Sequence, residues 1–324
     1  MPDHRSTPLA DRIRLAPEVA AALRDGRPVV ALESTLISHG LPYPDNVDVA
    51  RTSEAAVRGA GAVPATVAIL DGLLLVGLDD AALEALATAP PGTVRKAARP
   101  TLAIALAAGG WAATTVSATM IAADAAGIRV FATGGIGGVH RGAFAGGATG
   151  AGATATLDVS ADLEELARTP MAVVCAGPKA ILDVPATLEV LETRGVPVIA
   201  IGQDDVPGFY ARSSGIRAPA SVPDARAAAA VVDTHLGLGI GGAILVCAPV
   251  PEEAALSRDV AAGAVERAVR EASVTGVQGP ALTPWILARI AELTDGASVR
   301  ANTALIVNDA RVAGELAVAL AGSA

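Results

Sequence analysis

Hydrophobic positions fall in short unbroken runs, and between the runs apolar residues recur at helical spacing. The runs "RPVVALES", "ATVAIL", "LLLVGL", "ATTV", "IRVFAT", "MAVVCA", "PVIAIG" and "AILVCA" predict buried strands, and "GTVRKA" predicts a short one carrying Lys96. Helical spacing predicts helices over 17–23, 46–60, 79–87 (opened by an Asp79 cap), 117–126, 179–193 and 225–232, with three more before the C-terminus. "TLDVSADLEELA" reads as a strand end, a cap and a helix. Strands that alternate with helices, and are apolar on both faces, predict a mostly parallel sheet covered on both sides. The run 101–123 has no charge and could cross a bilayer by length. Gly109 and Gly110 interrupt it, so it predicts a buried helix, a turn, a strand and the start of another helix. No linker divides the chain. A single domain over 1–324 is expected, with a flexible N-terminal extension over 1–15 and a Gly/Ala-rich loop insert over 143–155.

Composition sharpens this picture. Hydrophobic residues make up 52% of the 324, but aromatic ones only 2%, so the core must be built from Ala, Val, Leu and Ile. A formal charge of −9 argues against a nucleic-acid partner, which needs a net basic face. Cys175 and Cys247 each close an apolar run and read as buried thiols, with no disulfide framework and no C-x-x-C. The N-terminus is polar and mixed in charge and is no signal peptide. A soluble, cytoplasmic protein without a membrane partner is expected.

In sheets of this kind, sites form at the carboxyl ends of the strands. Of 24 basic residues only two are lysine, Lys96 and Lys179. A lysine can lose its proton and attack a carbonyl, whereas arginine cannot, so "CAGPKAILD" points to amine chemistry against a background of chance. Glu33 ends the run "VVALE", where partial burial would raise its pKa and suit it to carry a proton; an ion pair or a cap is the plainer reading. "GGIGGVHRG" is not a dinucleotide fingerprint, since His140 stands where the third glycine belongs. It remains a loop whose bare backbone, with His140 and Arg141, suits a phosphate or carbonyl. In "LDVSAD", Ser160 is a candidate cap, and Asp158 could hold a hard divalent ion whose other positions are filled by water. Asn302 enters an apolar helical run, where a buried amide needs partners.

Taken together, the segments "VALESTLISHGLPYPDN", "GAVPATVAILDG", "ATTVSATMIAADAAGIRVFATGGIGGVHRGA", "DVSADLEELA", "VVCAGPKAILD", "VPGFYARSSG" and "NTALIVNDARVAGELA" resemble the pseudouridine-5′-phosphate glycosidase family. The resemblance runs in order through nearly the whole chain after about residue 15. It implies a three-layer α/β/α sandwich, homotrimers, and reversible cleavage of the C–C glycosidic bond of pseudouridine 5′-phosphate to uracil and ribose 5-phosphate. It also implies a divalent cation, typically manganese. By motif position Lys179 is the implied nucleophile, Glu33 the proton donor and Asp158 the metal ligand. Lys96, Val116, His140, Ser160, Ala161, Asp162 and Asn302 are the implied substrate-binding residues. The chain departs from the family after Lys96, where "KAARPT" replaces the usual Lys-x-Ser-Arg-Arg-Asp, and in its insert between Arg141 and Asp158. Two alternatives stand beside this reading: a sugar-phosphate-binding protein of the same fold with little activity, and another Schiff-base lysine lyase of sugar phosphates.

Overall fold

The structure is a computed structural model and describes residues 9–144, 157–275 and 282–322. Its strands are β1 (Ile13–Leu15), β2 (Val29–Leu32), β3 (Val63–Leu70), β4 (Leu73–Val76), β5 (Arg95–Ala97), β6 (Trp111–Thr114), β7 (Val130–Ala132), β8 (Ala172–Cys175), β9 (Val198–Ile201), β10 (Ala220–Val222) and β11 (Ile244–Cys247). Its helices are α1 (Pro17–Arg24), α2 (Thr35–His39), α3 (Asp45–Gly59), α4 (Asp80–Ala87), α5 (Leu102–Ala108), α6 (Val116–Ala125), α7 (Ala161–Leu166), α8 (Val184–Thr193), α9 (Ala225–Gly237), α10 (Arg258–Thr275), α11 (Leu282–Leu293) and α12 (Ala297–Ala321).

The strands run in the order β1-β4-β3-β2-β7-β8-β11-β9-β10, with β6 on β3 and β5 on β6. The pairings between these strands are parallel except those of β3 with β4 and with β6. The first half of β3 pairs with β2 and its second half with β6, so one long strand joins the parallel sheet to a small mixed one. Side chains alternate across a strand. Val29, Ala31, Val173, Cys175, Leu245 and Cys247 therefore pack on one face, with α1, α5, α6 and α7. Val30, Leu32, Ala172, Val174, Ile244 and Val246 pack on the other, with α9 and α12. This is the three-layer sandwich that the resemblance implies. Cys175 and Cys247 lie opposite one another on β8 and β11, buried and unbridged.

Three elements escape the hydrophobic pattern: β1, β10 and α2. Each is short, and β1 and β10 are held by pairing with β4 and β9 more than by their own burial. The pairing of β1 corrects the expected flexible extension over 1–15, because residues 13–15 belong to the sheet. Residues 1–8 lie outside the described residues, as does most of the expected insert over 143–155. Of that insert Ala143 is buried and Phe144 exposed.

A second correction concerns the helix expected over 179–193. It begins only at Val184, where Asp183 accepts from the Ala186 amide at 3.1 Å. The preceding residues pair instead with the glycine loop, Pro178 with Ile136 and Leu182 with His140. Gly177 at φ +84° makes the turn that brings them there, a conformation that favours glycine.

Candidate active site

Six chain segments meet at this edge of the sheet: those that follow β2, β6, β7 and β8, the one that carries β5, and the start of α7. They enclose a pocket of about 310 Å³ lined by Glu33, Lys96, Val116, His140, Asp162 and Lys179, among others. That is the lower end of the size range for small-molecule sites, about 300–1,000 Å³. Ser160 and Ala161 line it too. Eight of the ten expected site residues thus converge on one cavity.

Glu33 follows the last residue of β2 and is 8% exposed. Thr133, one residue past β7, donates its hydroxyl to Glu33 Oε1. Burial pushes the Glu33 carboxyl above its ordinary range, and the charge of Lys179 and the Thr133 bond only partly offset this. The result is an acid that keeps its proton nearer to neutrality than a surface glutamate does.

Lys179 is fixed through its backbone. Its amide donates to the Ile136 carbonyl at 3.1 Å, and its carbonyl accepts from the Leu182 amide at 2.9 Å. The lysine is therefore fastened to the same loop that carries His140. Lys96 lies on β5 opposite Ala113 of β6. The residue is exposed at the pocket mouth. Enclosure by the pocket and then repulsion from Lys179 push its ammonium below the ordinary lysine range, an effect that solvent at the mouth tempers.

Asp162 organises the floor. Its Oδ1 accepts from the Ser117 amide at 3.1 Å and its Oδ2 from the Gly137 amide at 3.0 Å. Both oxygens are thereby engaged by the first turn of α6 and by the glycine loop. Ser160 caps α7 by accepting from the Asp162 amide at 3.2 Å. Gly137 must be bare, since a Cβ there would lie 2.2 Å from Ser160 Oγ. The loop after Lys96 is anchored despite its altered sequence. Arg99 makes an ion pair with buried Glu165, the Arg99 amide donates to Ser117 Oγ at 3.1 Å, and the Thr101 hydroxyl accepts from the Ala98 amide at 3.0 Å.

Two expected site residues do not line this pocket. Asp158 stands at its rim with a side chain 60% exposed, and its Oδ2 is 3.8 Å from His140 Nδ1. Asn302 lies half-buried on α12. That helix reaches the site through Ile306, which touches the space beside Glu33 and Thr133. Conversely, Thr35, Thr115 and Thr133 belong to the site and were not singled out by sequence reasoning. Their signal was available: Thr115 and Thr133 stand immediately after buried runs, where Glu33 also stands. A larger groove of about 950 Å³ between α3 and α12 contains neither Glu33 nor Lys96 nor Lys179.

Fold and pocket together define an α/β/α enzyme with a buried acid and two amines at the sheet's carboxyl edge. The chain matches the family described as Indigoidine synthase A like protein over residues 18–319. It is 53% identical over 309 residues to the pseudouridine-5′-phosphate glycosidase of Paracoccus denitrificans, covering 95% of this chain and 98% of that protein. It is 56% identical over 311 residues to the pseudouridine-5′-phosphate glycosidase of Rhodospirillum centenum, covering 96% and 93%. Among solved structures it is similar to the prealnumycin C-glycosynthase AlnA in complex with ribulose 5-phosphate, with a TM-score of 0.86, 37% identity and coverage of 96% and 97%. An indigoidine synthase A-like protein of Thermotoga maritima aligns with a TM-score of 0.82 and 32% identity, covering 95% and 96%. The chain belongs to the pseudouridine-5′-phosphate glycosidase family.

Proposed function

We propose that this protein reversibly cleaves the C–C glycosidic bond of pseudouridine 5′-phosphate, giving uracil and ribose 5-phosphate. The observation that carries the reading is the meeting of Glu33 and Lys179 in one pocket on a chain of this family. An ordinary glycosidase uses two carboxylates and protonates a heteroatom leaving group. Here the leaving atom is carbon, which offers no lone pair, and an amine provides another route. Lys179 Nζ bonds to C1′ as the C1′–O4′ bond opens, and Glu33 supplies the proton that O4′ takes up. The secondary ammonium so formed gives a proton to the Glu33 carboxylate, the freed nitrogen lone pair expels the base as the C1′–C5 bond breaks, and C5 of uracil takes that proton from Glu33. Water hydrolyses the remaining imine to ribose 5-phosphate and the free amine. Lys96, with the first residues of α6 and α7, forms the wall that suits the phosphate.

The resemblance adds a divalent cation, typically manganese. Among the described residues no group of three or more His, Cys, Asp or Glu could hold a metal ion. Asp158, with His140 beside it, is a single exposed carboxylate. It fits a hard cation that keeps most of its waters and not one caged by protein alone. Such an ion would add positive charge at the pocket rim. No described helix is long and apolar enough to cross a membrane. A cytoplasmic homotrimer is the setting that the resemblance supports.

The test is direct. Protein mixed with Mn²⁺, uracil and ribose 5-phosphate should form pseudouridine 5′-phosphate, and should release uracil from it in reverse. Sugar-phosphate binding without either reaction would favour a weak binder of the same fold. Cleavage of other sugar phosphates alone would favour a different lysine-dependent lyase.

A further inference from the structure

Glu33 borders two spaces. One is the open pocket. The other is a small cavity lined by Ser53, Thr66, Thr133 and Ile306, among others, as well as by Glu33. It offers about 10 Å³ to the centre of a water molecule, close to the room that one water needs. Three hydroxyls and a carboxyl at its wall meet the polar partners that a buried water takes, about two to four. Each hydroxyl is also placed by a second bond. Thr133 donates to Glu33, Ser53 donates to the Val49 carbonyl at 2.8 Å, and Thr66 donates to Glu54 Oε1 at 2.5 Å.

The last of these bonds leads outward. Thr66 is 2% exposed on β3, directly opposite Leu32, the residue before Glu33. Glu54 is half-buried on α3 and so touches solvent. Burial raises its carboxyl above the ordinary value. The charged groups that face it are Arg58 on its own helix, Glu18 on α1 and Asp80 on α4. Arg58 is taken up by Glu18 through two bonds of 2.6 and 2.8 Å. The groups that face Glu33 are Lys179, Lys96 and Asp162. Two carboxyls that each hold a proton readily are thus joined by a hydroxyl and a water-sized cavity.

We propose that Glu54 and Thr66, through a water in this cavity, form a proton relay that serves Glu33 while substrate fills the pocket. The relay rests on the proposed function, in which Glu33 gives up and regains a proton in each turnover. Glu33 is almost wholly buried, and a nucleotide in the pocket covers its open side. In the inward direction Glu54 gives its proton to Thr66 Oγ1, which passes its own to the water, and the water passes one to Glu33. Glu54 then takes a proton from solvent. The outward direction reverses each step, and no bond other than O–H bonds changes. Thr66 and Glu54 act through Glu33 and touch no substrate.

The experiment uses the full chain with Mn²⁺ and pseudouridine 5′-phosphate, comparing wild type with Thr66→Val, Thr66→Ser and Glu54→Gln. The relay predicts that Thr66→Val and Glu54→Gln each lower kcat by about tenfold or more, with KM within about twofold. It predicts a larger solvent deuterium isotope effect on kcat in both, because proton delivery becomes limiting, and recovery of kcat in Thr66→Ser. Melting temperatures identify any variant that fails to fold, and Glu54→Gln at a half-exposed position keeps the test open if Thr66→Val does. Wild-type kcat and isotope effect in the folded variants would overturn the relay. So would a lower kcat with an unchanged isotope effect and no recovery by serine, the pattern of a merely structural role. An inactive wild type would overturn the relay and the proposed function together, whereas an active wild type with unaffected variants would overturn the relay alone.

Discussion

The Lys179 amide donates to the Ile136 carbonyl at 3.1 Å, which fastens this lysine, the proposed nucleophile, to the glycine loop. The pairing of Leu182 with His140 extends the same join. A change in the loop should therefore be felt at the lysine although the two are more than forty positions apart in sequence.

Gly137→Ala tests that coupling. The added Cβ would lie 2.2 Å from Ser160 Oγ and 2.7 Å from Asp162 Oδ2. Relieving the clash means moving the cap of α7 or releasing the Gly137–Asp162 bond, at a cost of about 1–3 kcal/mol. Thermal unfolding should show the loss of stability, and turnover should fall with it. A variant with wild-type melting and activity would mean that the loop is loose.

Glu33→Gln should fold normally and bind sugar phosphate, yet lose about 100-fold or more in kcat, because an amide carries no acidic proton. The raised Glu33 pKa also predicts that wild-type activity declines on the alkaline side, as the carboxyl loses the proton it must donate. Near-normal turnover by the glutamine variant would remove Glu33 from proton transfer.

Much of this was legible in the sequence because buried parallel strands are continuous apolar runs, and because Glu33 falls directly after one. The helical pattern misplaced the start of α8, since residues 179–183 have helical spacing but are held by contacts with a loop some forty residues earlier. Spacing cannot report a partner so distant. It likewise placed Asn302 on a helix without showing which way that helix turns. The resemblance implies substrate binding for Asp162; it lines the pocket, and both of its oxygens accept from backbone amides, which spacing does not show. Thr66 and Glu54 give no signal of their own, because what distinguishes them is a bond and not a residue type.

Asp309 on α12 is fully buried, and neither carboxyl oxygen has a hydrogen-bond partner among the described residues. The nearby Ala176 amide acts to lower its pKa but is itself engaged, donating to the Gly134 carbonyl at 3.1 Å. Burial therefore pushes the carboxyl well above its ordinary value of 3.8. The folded state keeps a proton that the unfolded chain gives up, so stability falls as pH rises from that ordinary value toward the folded one. Asp309→Asn has the same shape and no charge to suppress. It should melt higher than wild type at pH 7, with the difference shrinking toward about pH 4. An advantage independent of pH would show that titration is not its source.

If Asp158 holds the proposed cation, Asp158→Ala should lower activity and metal dependence together, because the rim loses its carboxylate. Titration calorimetry with Mn²⁺ checks the binding apart from turnover. Full activity of the wild type after EDTA treatment would remove the metal from the account.

The central claim is that Lys179 forms a covalent bond with the sugar. Borohydride reduces an imine to a stable amine, so incubation with ribose 5-phosphate and borohydride should add one pentose-phosphate mass and abolish activity. With only two lysines in the chain, peptide mapping separates Lys179 from Lys96 and from the α-amino group. Lys179→Arg keeps the charge but cannot attack near neutral pH, so it should bind the sugar phosphate, take no label and turn over no substrate. The account predicts a single label on the peptide carrying Lys179. A label on Lys96, or appreciable turnover by the arginine variant, would contradict it.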